Sequence, residues 1–253
     1  MNKKSNMVLK SAKFRKHIKI CLVFLTLLTL LNLTALSLAL FFQFKRPNSL
    51  SADEIFSNNI YSIVEVKAYS ENVGESFGTA EFINDDGCLI TNAHVVTYSS
   101  LSVTQTFEKY YIRFATDEEF IEVSLIKYNS DLDIAILQMN PTIHKFKPMQ
   151  TADSSKIKTG DRVYAIGNLA NYGISMTEGI VSSPLIKINY NKLTRKVIQC
   201  DITIAEGNSG GALVNNKGEL IGITTFRTKD FTGNPIYGIA YCIPINAVLE
   251  YIK

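Results

Sequence analysis

A single uncharged apolar segment near the N-terminus constrains this chain most. From Ile20 to Phe44 the sequence runs for 25 residues without Asp, Glu, Lys or Arg, and most are Leu, Phe, Val, Ile or Ala. A helix of that length is about 37 Å long, which is enough to cross a hydrocarbon core of about 30 Å. The sequence therefore predicts a transmembrane helix over residues 20–44, preceded by a basic tail (1–19) and followed by a linker (45–59).

The charges that flank this segment predict its orientation. Seven Lys or Arg residues precede it, whereas only Lys45 and Arg46 follow closely. The positive-inside bias then leaves the N-terminus in the cytoplasm and the rest of the chain outside, in a periplasm or at a cell surface. A cleaved signal peptide is an alternative, because Ser37-Leu38-Ala39 resembles a small-residue cleavage site. Another alternative is an interaction protein in which the basic tail and the anchor are the functional parts.

The rest of the chain has the opposite charge balance. Residues 47–253 contain 17 basic and 23 acidic residues, a net charge of −6. Such a surface repels phosphate, so we expect no nucleic-acid partner. Of the four cysteines, Cys21 lies in the membrane segment, and the other three (Cys88, Cys200 and Cys242) leave an odd number. They do not form a disulfide framework, and these three are expected to be small buried apolar residues.

Residues 60–253 show the pattern of an all-β protein. Short apolar or alternating runs recur between turn signals such as Asp85-Asp86-Gly87, six before and six after the polar stretch Asn140–Gly160. An amphipathic helical pattern appears only at Ile245–Ile252. The runs predict two six-stranded β-barrels, over residues 60–140 and 160–253.

Three segments beside predicted strands carry residues suited to nucleophilic catalysis: TNAHVV with His94, DIAIL with Asp133, and GNSGGAL with Ser209. Each alone fits a structural histidine, a turn aspartate or a tight glycine turn. Together they fit a serine hydrolase, because a serine hydroxyl needs a histidine to accept its proton and a carboxylate to orient that histidine. An α/β-hydrolase is excluded, because its histidine follows the serine, whereas no histidine follows His144 here.

These segments, together with AIGN (165–168), EGIVS (178–182) and GIAYCIP (238–244), resemble the protease domain of the HtrA/Deg serine proteases from about Ile60 onward. The resemblance implies a chymotrypsin-like double β-barrel that cleaves unfolded or damaged polypeptides outside the cytoplasm, without a metal or other cofactor. It also implies a homotrimer held by the segment before the first strand. The family usually carries PDZ domains after the protease domain, and none follows in this sequence, so we expect no PDZ-mediated activation.

The resemblance also assigns roles to residues of the site. His94 would be the general base and then the general acid, Asp133 would orient it, and Ser209 would be the nucleophile. The N–H groups of Gly207 and Ser209 would form the oxyanion hole. The sequence keeps all three side chains, which argues against a catalytically silent homologue that serves as a binding or chaperone module.

Substrate recognition is expected from two further sets of residues. The strand Thr225-Phe226-Arg227 would pair with the substrate backbone. Thr203, six positions before Ser209, and Ala240 would shape the pocket for the residue before the scissile bond. Because neither introduces a buried charge, the resemblance implies cleavage after small or medium aliphatic residues.

Overall fold

The computed structural model describes residues 3–44, 49–101, 103–190, 193–229, 232 and 234–253. The chain forms two compact units, Met1–Ser49 and Leu50–Lys253. The first contains one helix, α1 (Lys3–Phe44). Within α1, Phe14–Phe41 reaches a mean hydropathy of 2.2 and is not buried, so this helix is long and apolar enough to cross a membrane.

Four hydroxyl side chains within the apolar part of α1 find hydrogen-bond acceptors inside the helix. The hydroxyls of Thr26, Thr29, Thr34 and Ser37 each donate to the carbonyl three residues earlier, at 2.8 Å. Lipid offers no hydrogen-bond partner, so a spanning helix must satisfy its polar groups internally. These four hydroxyls of α1 meet this requirement.

A short helix, α2 (Ala52–Asn59), opens the second unit. Its N-terminus is a capping box, in which Ser51 accepts from the Glu54 N–H while the Glu54 carboxylate accepts from the Ser51 N–H. Ile55 of α2 is fully buried, and the Leu50 N–H donates to the Asn216 carbonyl at 2.8 Å. The interval 45–59, expected to be a linker, thus contains a helix that packs onto the folded unit.

Six antiparallel strands close into the first barrel. Residues 63–138 form β1 (Ile63–Ser70), β2 (Gly74–Phe82), β3 (Cys88–Thr91), α3 (Ala93–Val96), β4 (Thr97–Ser100), β5 (Val103–Thr106), β6 (Lys109–Phe114), β7 (Ile121–Asn129) and β8 (Ile134–Gln138). The barrel order is β1-β2-β3-β8-β7-β6, and β4 pairs with β5 in a separate two-stranded sheet. Alternate residues such as Val64 and Val66 face the core, where the Phe82 and Phe114 rings stack with centroids 5.8 Å apart.

The second barrel also has six strands. They are β9 (Arg162–Asn168), β10 (Ile174–Tyr190), β11 (Leu193–Cys200), β12 (Ala212–Asn215), β13 (Leu220–Lys229) and β14 (Pro235–Pro244), and α4 (Ile245–Ile252) follows. Their order is β10-β11-β14-β13-β12-β9. The core contains Leu213, Ile221 and two buried free thiols, Cys200 and Cys242. Lys127 of β7 donates to the carbonyls of residues 251 and 252, which ties the C-terminal end of α4 to the first barrel.

The expectation of an all-β, chymotrypsin-like pair of six-stranded barrels is confirmed. Helix α4 has the bounds that its amphipathic pattern predicts. The β4–β5 sheet was not predicted, because its strands have no buried face and hence no apolar alternation: every side chain of Val103–Thr106 is exposed.

An apolar seam joins the two barrels. Ile63 and Ile90 of the first barrel belong to one buried cluster with Ile166 and Ile223 of the second.

Glu81 is paired with Ile63 on one side and Ile90 on the other, so its side chain lies on the same face as theirs. It is fully buried, and neither carboxyl oxygen has a hydrogen-bond partner in the described part of the chain. Burial raises the pKa of Glu81 well above its ordinary value, which favours the neutral, protonated form of this carboxyl in the seam.

The seam carboxyl makes stability dependent on pH. Above the ordinary carboxyl pKa, Glu81 ionises in the unfolded chain but stays protonated in the folded one. The free energy of unfolding therefore falls by up to about 1.4 kcal/mol per pH unit, until the raised folded pKa is reached. Glu81→Gln lacks this contribution, so its stability relative to the parent should rise between pH 5 and pH 8 in urea unfolding. Glu122→Gln, at an exposed position of β7, is the control, and a Glu81→Gln variant with the parent's pH dependence would contradict the prediction.

Candidate active site

His94 and Asp133 are in contact at the edge of the first barrel. His94 belongs to α3, directly after β3, and Asp133 directly precedes β8, which pairs with β3. The His94 Nδ1 atom lies 3.0 and 2.9 Å from the two carboxylate oxygens, and the His94 N–H donates to the carboxylate at 3.1 Å. The carboxylate therefore orients the ring through Nδ1. The Nε2 edge faces away from the carboxylate, and the His94 side chain is 49% exposed.

The local backbone holds the Asp133 carboxylate in place. Asp133 is buried and has a φ of +58°, in the left-handed region that Asp tolerates better than most residues. The Asn92 side-chain amide donates to the Asp133 carbonyl at 2.9 Å and steadies this bend. Burial acts to raise the pKa of Asp133, but hydrogen bonds from His94 and Thr225 and the charge of His94 outweigh it. The pKa of Asp133 is therefore lowered, and the carboxylate stays ionised.

Two side chains of the second barrel also reach this carboxylate. The Thr225 hydroxyl donates to Asp133 Oδ2 at 2.6 Å. The Arg195 guanidinium lies 3.6 Å from the same oxygen and donates to the Ser130 carbonyl at 2.8 Å. The sequence pattern places Thr225 only in substrate pairing and gives no role to Arg195, since no local motif links either residue to Asp133.

Ser209 reaches the same group of residues through Thr225. The Ser209 hydroxyl donates to the Thr225 carbonyl at 3.2 Å, while the Thr225 side chain binds Asp133. Within the described part of the chain, Ser209 makes no hydrogen bond to His94. The structure thus brings the three residues of the predicted triad into one neighbourhood, with the Ser209 hydroxyl turned toward Thr225.

The turn that carries Ser209 has all its peptide carbonyls occupied from residue 206 to residue 209. The Glu206 carbonyl accepts from the Ala170 N–H (2.8 Å), and the Gly207 carbonyl accepts from the Thr79 hydroxyl (2.7 Å). The Asn208 carbonyl accepts from the Gly211 N–H (2.9 Å) and from the Thr224 hydroxyl, and the Ser209 carbonyl accepts from the Thr79 N–H (2.9 Å). Each carbonyl of the turn therefore has a fixed direction.

Two N–H groups of this turn remain open. The Asn208 and Gly210 N–H groups donate to the carbonyls of Ala205 and Thr224. Those of Gly207 and Ser209 have no acceptor among the described residues. A trans peptide directs its C=O and N–H to opposite sides. Anchoring the carbonyls of residues 206 and 208 therefore turns these two N–H groups the other way, where they could bind an anionic oxygen.

Gly207 is required for the shape of this turn. Its φ is +90°. The Asn208 N–H donates to the Ala205 carbonyl and closes a turn over residues 205–208, in which Gly207 holds the third position of a type II turn. A Cβ atom here would collide with the Asn168 carbonyl oxygen and lie 2.5 Å from Asn171 Oδ1. Only glycine fits without moving the turn.

Of the residues predicted to contact substrate, Thr203 lines a small cavity. This cavity has a volume of ≈ 10 Å³, roughly the space of one water molecule. No lining residue is charged: they are Ile202, Thr203, Ile204, Ile236, Tyr237, Gly238 and Ile239. Ala240 is not among them and is fully buried in the second-barrel core.

Of the strand predicted to pair with substrate, the Phe226 ring packs against Tyr241 with centroids 5.2 Å apart, and the side chain of Arg227 lies outside the described residues.

Gly207→Ala should abolish the open arrangement of the turn. If these N–H groups form the predicted oxyanion hole, kcat for peptide hydrolysis should fall by about 10²-fold or more, because the displaced N–H would no longer meet the oxyanion. The matched control is Gly160→Ala. Gly160 has a φ of +89°, yet its added Cβ would meet nothing within 4 Å, so this variant carries the backbone strain without the collision. Equal kcat for the two variants would contradict the prediction.

Comparisons with known proteins agree with this geometry. The family of trypsin-like peptidase domains matches residues 78–223, more than half of the chain. The chain is 37% identical over 175 residues to a probable serine protease do-like from Buchnera aphidicola subsp. Acyrthosiphon pisum, which covers 68% of this chain and 34% of that protein. It is 37% identical over 169 residues to the periplasmic serine endoprotease DegP of Escherichia coli K12, covering 65% and 32%. It thus spans about a third of the length of these relatives.

Solved structures show the same similarity. An HtrA-type protease, AlgW with a tripeptide, superposes with a TM-score of 0.69 and 28% identity over 80% of this chain and 62% of that one. A serine endoprotease from Yersinia pestis gives a TM-score of 0.64 and 27% identity over 80% and 65%. With its paired six-stranded barrels and these similarities, the chain belongs to the trypsin-like peptidase domain family and groups within it with the HtrA/Deg serine proteases.

Proposed function

We propose that this protein is a membrane-anchored serine endopeptidase that cleaves unfolded or damaged proteins outside the cytoplasm. One observation carries the proposal: the turn that bears Ser209 leaves two N–H groups without an acceptor among the described residues, and Thr225 links this turn to the buried carboxylate that orients His94. Serine hydrolases need this combination of nucleophile, base and anion-binding donors.

The mechanism follows from these contacts. Ser209 turns from the Thr225 carbonyl toward Nε2 of His94, which accepts the hydroxyl proton as Oγ attacks the substrate carbonyl. Asp133 keeps the other ring nitrogen protonated and stabilises the imidazolium. The N–H groups of Gly207 and Ser209 bind the developing oxyanion. His94 then protonates the leaving amine, and a water molecule that His94 activates hydrolyses the acyl-enzyme.

The edge of β13 is the proposed strand for substrate pairing. On one side, Phe226 and Arg227 pair with Tyr241 and Ala240 of β14. On the other side, the ladder with β12 ends at Ile223, so the backbone of residues 225–227 has no strand beside it in the described part of the chain. An extended peptide can add there and place its scissile bond beside Ser209.

Helix α1 is the proposed anchor, with the N-terminus in the cytoplasm. Its hydroxyls are satisfied internally, and its N-terminal side carries the excess of cations. The named relative DegP is periplasmic, which supports a protease domain outside the cytoplasm. A homotrimer belongs to the same proposal, and light scattering of the detergent-solubilised chain would test it.

One observation favours a second candidate, a catalytically silent binding or chaperone module. The Ser209 hydroxyl is directed at the Thr225 carbonyl rather than at His94. In a silent homologue this would be the permanent arrangement. In an active protease it is a resting arrangement that changes when substrate binds.

Comparison of the full chain with its Ser209→Ala variant, on a permanently unfolded protein, separates the two candidates. We expect cleavage by the parent and a loss of about 10⁶-fold in turnover for the variant, because its nucleophile is absent. Mass spectrometry of the products should show cuts after small or medium aliphatic residues, because the residues that line the cavity at Thr203 carry no charge. Cuts mainly after Lys or Arg would contradict this specificity, and equal binding by both proteins without cleavage would favour the silent module.

A further inference from the structure

Thr79 connects the first barrel to the turn that carries Ser209. It lies in β2, is fully buried and belongs to neither the predicted triad nor the substrate-binding set. Its N–H donates to the Ser209 carbonyl at 2.9 Å, and its hydroxyl donates to the Gly207 carbonyl at 2.7 Å. One residue of the first barrel thus holds two peptide units of the turn in the second.

The same hydroxyl also holds the loop on the other side of the turn. Thr79 Oγ1 accepts from the Asn168 N–H at 2.9 Å, and the Asn168 side chain accepts from the Gly173 N–H at 2.9 Å. Between these two residues, the Ala170 N–H donates to the Glu206 carbonyl. The peptides on both sides of Gly207 are therefore fixed, one by Thr79 directly and the other by a loop that Thr79 secures.

A second contact within the first barrel fixes Thr79 itself. Its carbonyl accepts from the Thr91 hydroxyl at 2.7 Å, so β2 and β3 both support its position. Glycine turns rotate easily because glycine allows positive and negative φ. The buried Thr79 hydroxyl, which makes two hydrogen bonds, counters that freedom. A rotated turn would leave this hydroxyl and the Gly207 carbonyl without their hydrogen bond.

We propose that Thr79 is a positioning residue for the oxyanion hole: its hydroxyl fixes the peptides on both sides of Gly207 and so keeps the Gly207 N–H open toward the substrate. The inference rests on the proposed function and extends it to a residue of the opposite barrel. It makes the anion-binding geometry depend on the docking of β2 against the turn, and it assigns to Thr79 no contact with the substrate.

Three variants of the full chain in detergent micelles test this role. Thr79→Val keeps the shape but removes the hydroxyl, Thr79→Ser keeps the hydroxyl, and Ser70→Ala is the control. Ser70 is also buried, and its hydroxyl accepts from the Glu108 N–H at 2.9 Å, within the first barrel. If Thr79→Val does not fold, Thr79→Ala gives the same readout.

Two measurements report on the turn. One is kcat and KM for an unfolded protein substrate. The other is the affinity for a peptide boronic acid ending in a valine analogue, which adds to Ser209 and places an oxygen in the oxyanion hole. For Thr79→Val we expect kcat and boronate affinity to fall about tenfold to a hundredfold, with KM within about twofold of the parent. Thr79→Ser should restore both, and Ser70→Ala should leave both unchanged.

The outcomes separate this inference from the proposed function. A parent that neither cleaves nor binds the boronic acid through Ser209 overturns the proposed function. A parent that does both, with Thr79→Val unchanged in kcat and boronate affinity, overturns only the role of Thr79. A loss confined to KM, or a loss of the same size in Ser70→Ala, would show a merely structural role and would also overturn it.

Discussion

The packing of two closed barrels against each other is the constraint on which the site depends. Neither barrel holds the site alone: His94 and Asp133 come from the first, and Ser209 and Thr225 from the second. The apolar seam supplies the burial that brings these residues within hydrogen-bond distance. The polar contacts across it, such as that between Thr225 and Asp133, then fix the relative positions of the groups. Apolar burial stabilises the contact between the two barrels, and buried hydrogen bonds fix the position of one barrel relative to the other.

The ends of the folded unit strengthen this arrangement from both sides. Ile55 of α2 and Val248 of α4 are both fully buried and belong to the cluster that fills the seam. Lys127 of the first barrel reaches the last carbonyls of α4, the helix that follows the second barrel. The segments before and after the barrels therefore contribute to the packing that holds the two barrels together. A change at either end would loosen the seam, and with it the geometry around Ser209.

The sequence predicts those features that local patterns encode. Alternating apolar residues predict the barrels, the amphipathic period predicts α4, and the three motifs single out His94, Asp133 and Ser209. Thr79 and Arg195 are missed, because their partners lie 128 and 65 residues away and only the fold brings them together. The role of Glu81 is missed for a different reason. A charged residue in an alternating strand suggests the solvent face, whereas the outer face of β2 is covered by the second barrel.

The division of the site between two barrels has a consequence for newly made copies. Ser209 follows Asp133 by 76 residues, so a growing chain contains all six strands of the first barrel before it contains the turn that carries Ser209. Until the second barrel closes, the His94–Asp133 pair has neither the hydroxyl of Thr225 nor the anchored turn beside it. The part of the chain that forms the second barrel is still incomplete during that interval. If the protein is the protease proposed above, a copy that has not finished folding should therefore be unable to digest itself or its neighbours, because the proposed catalytic groups come together only when the last strands are in place.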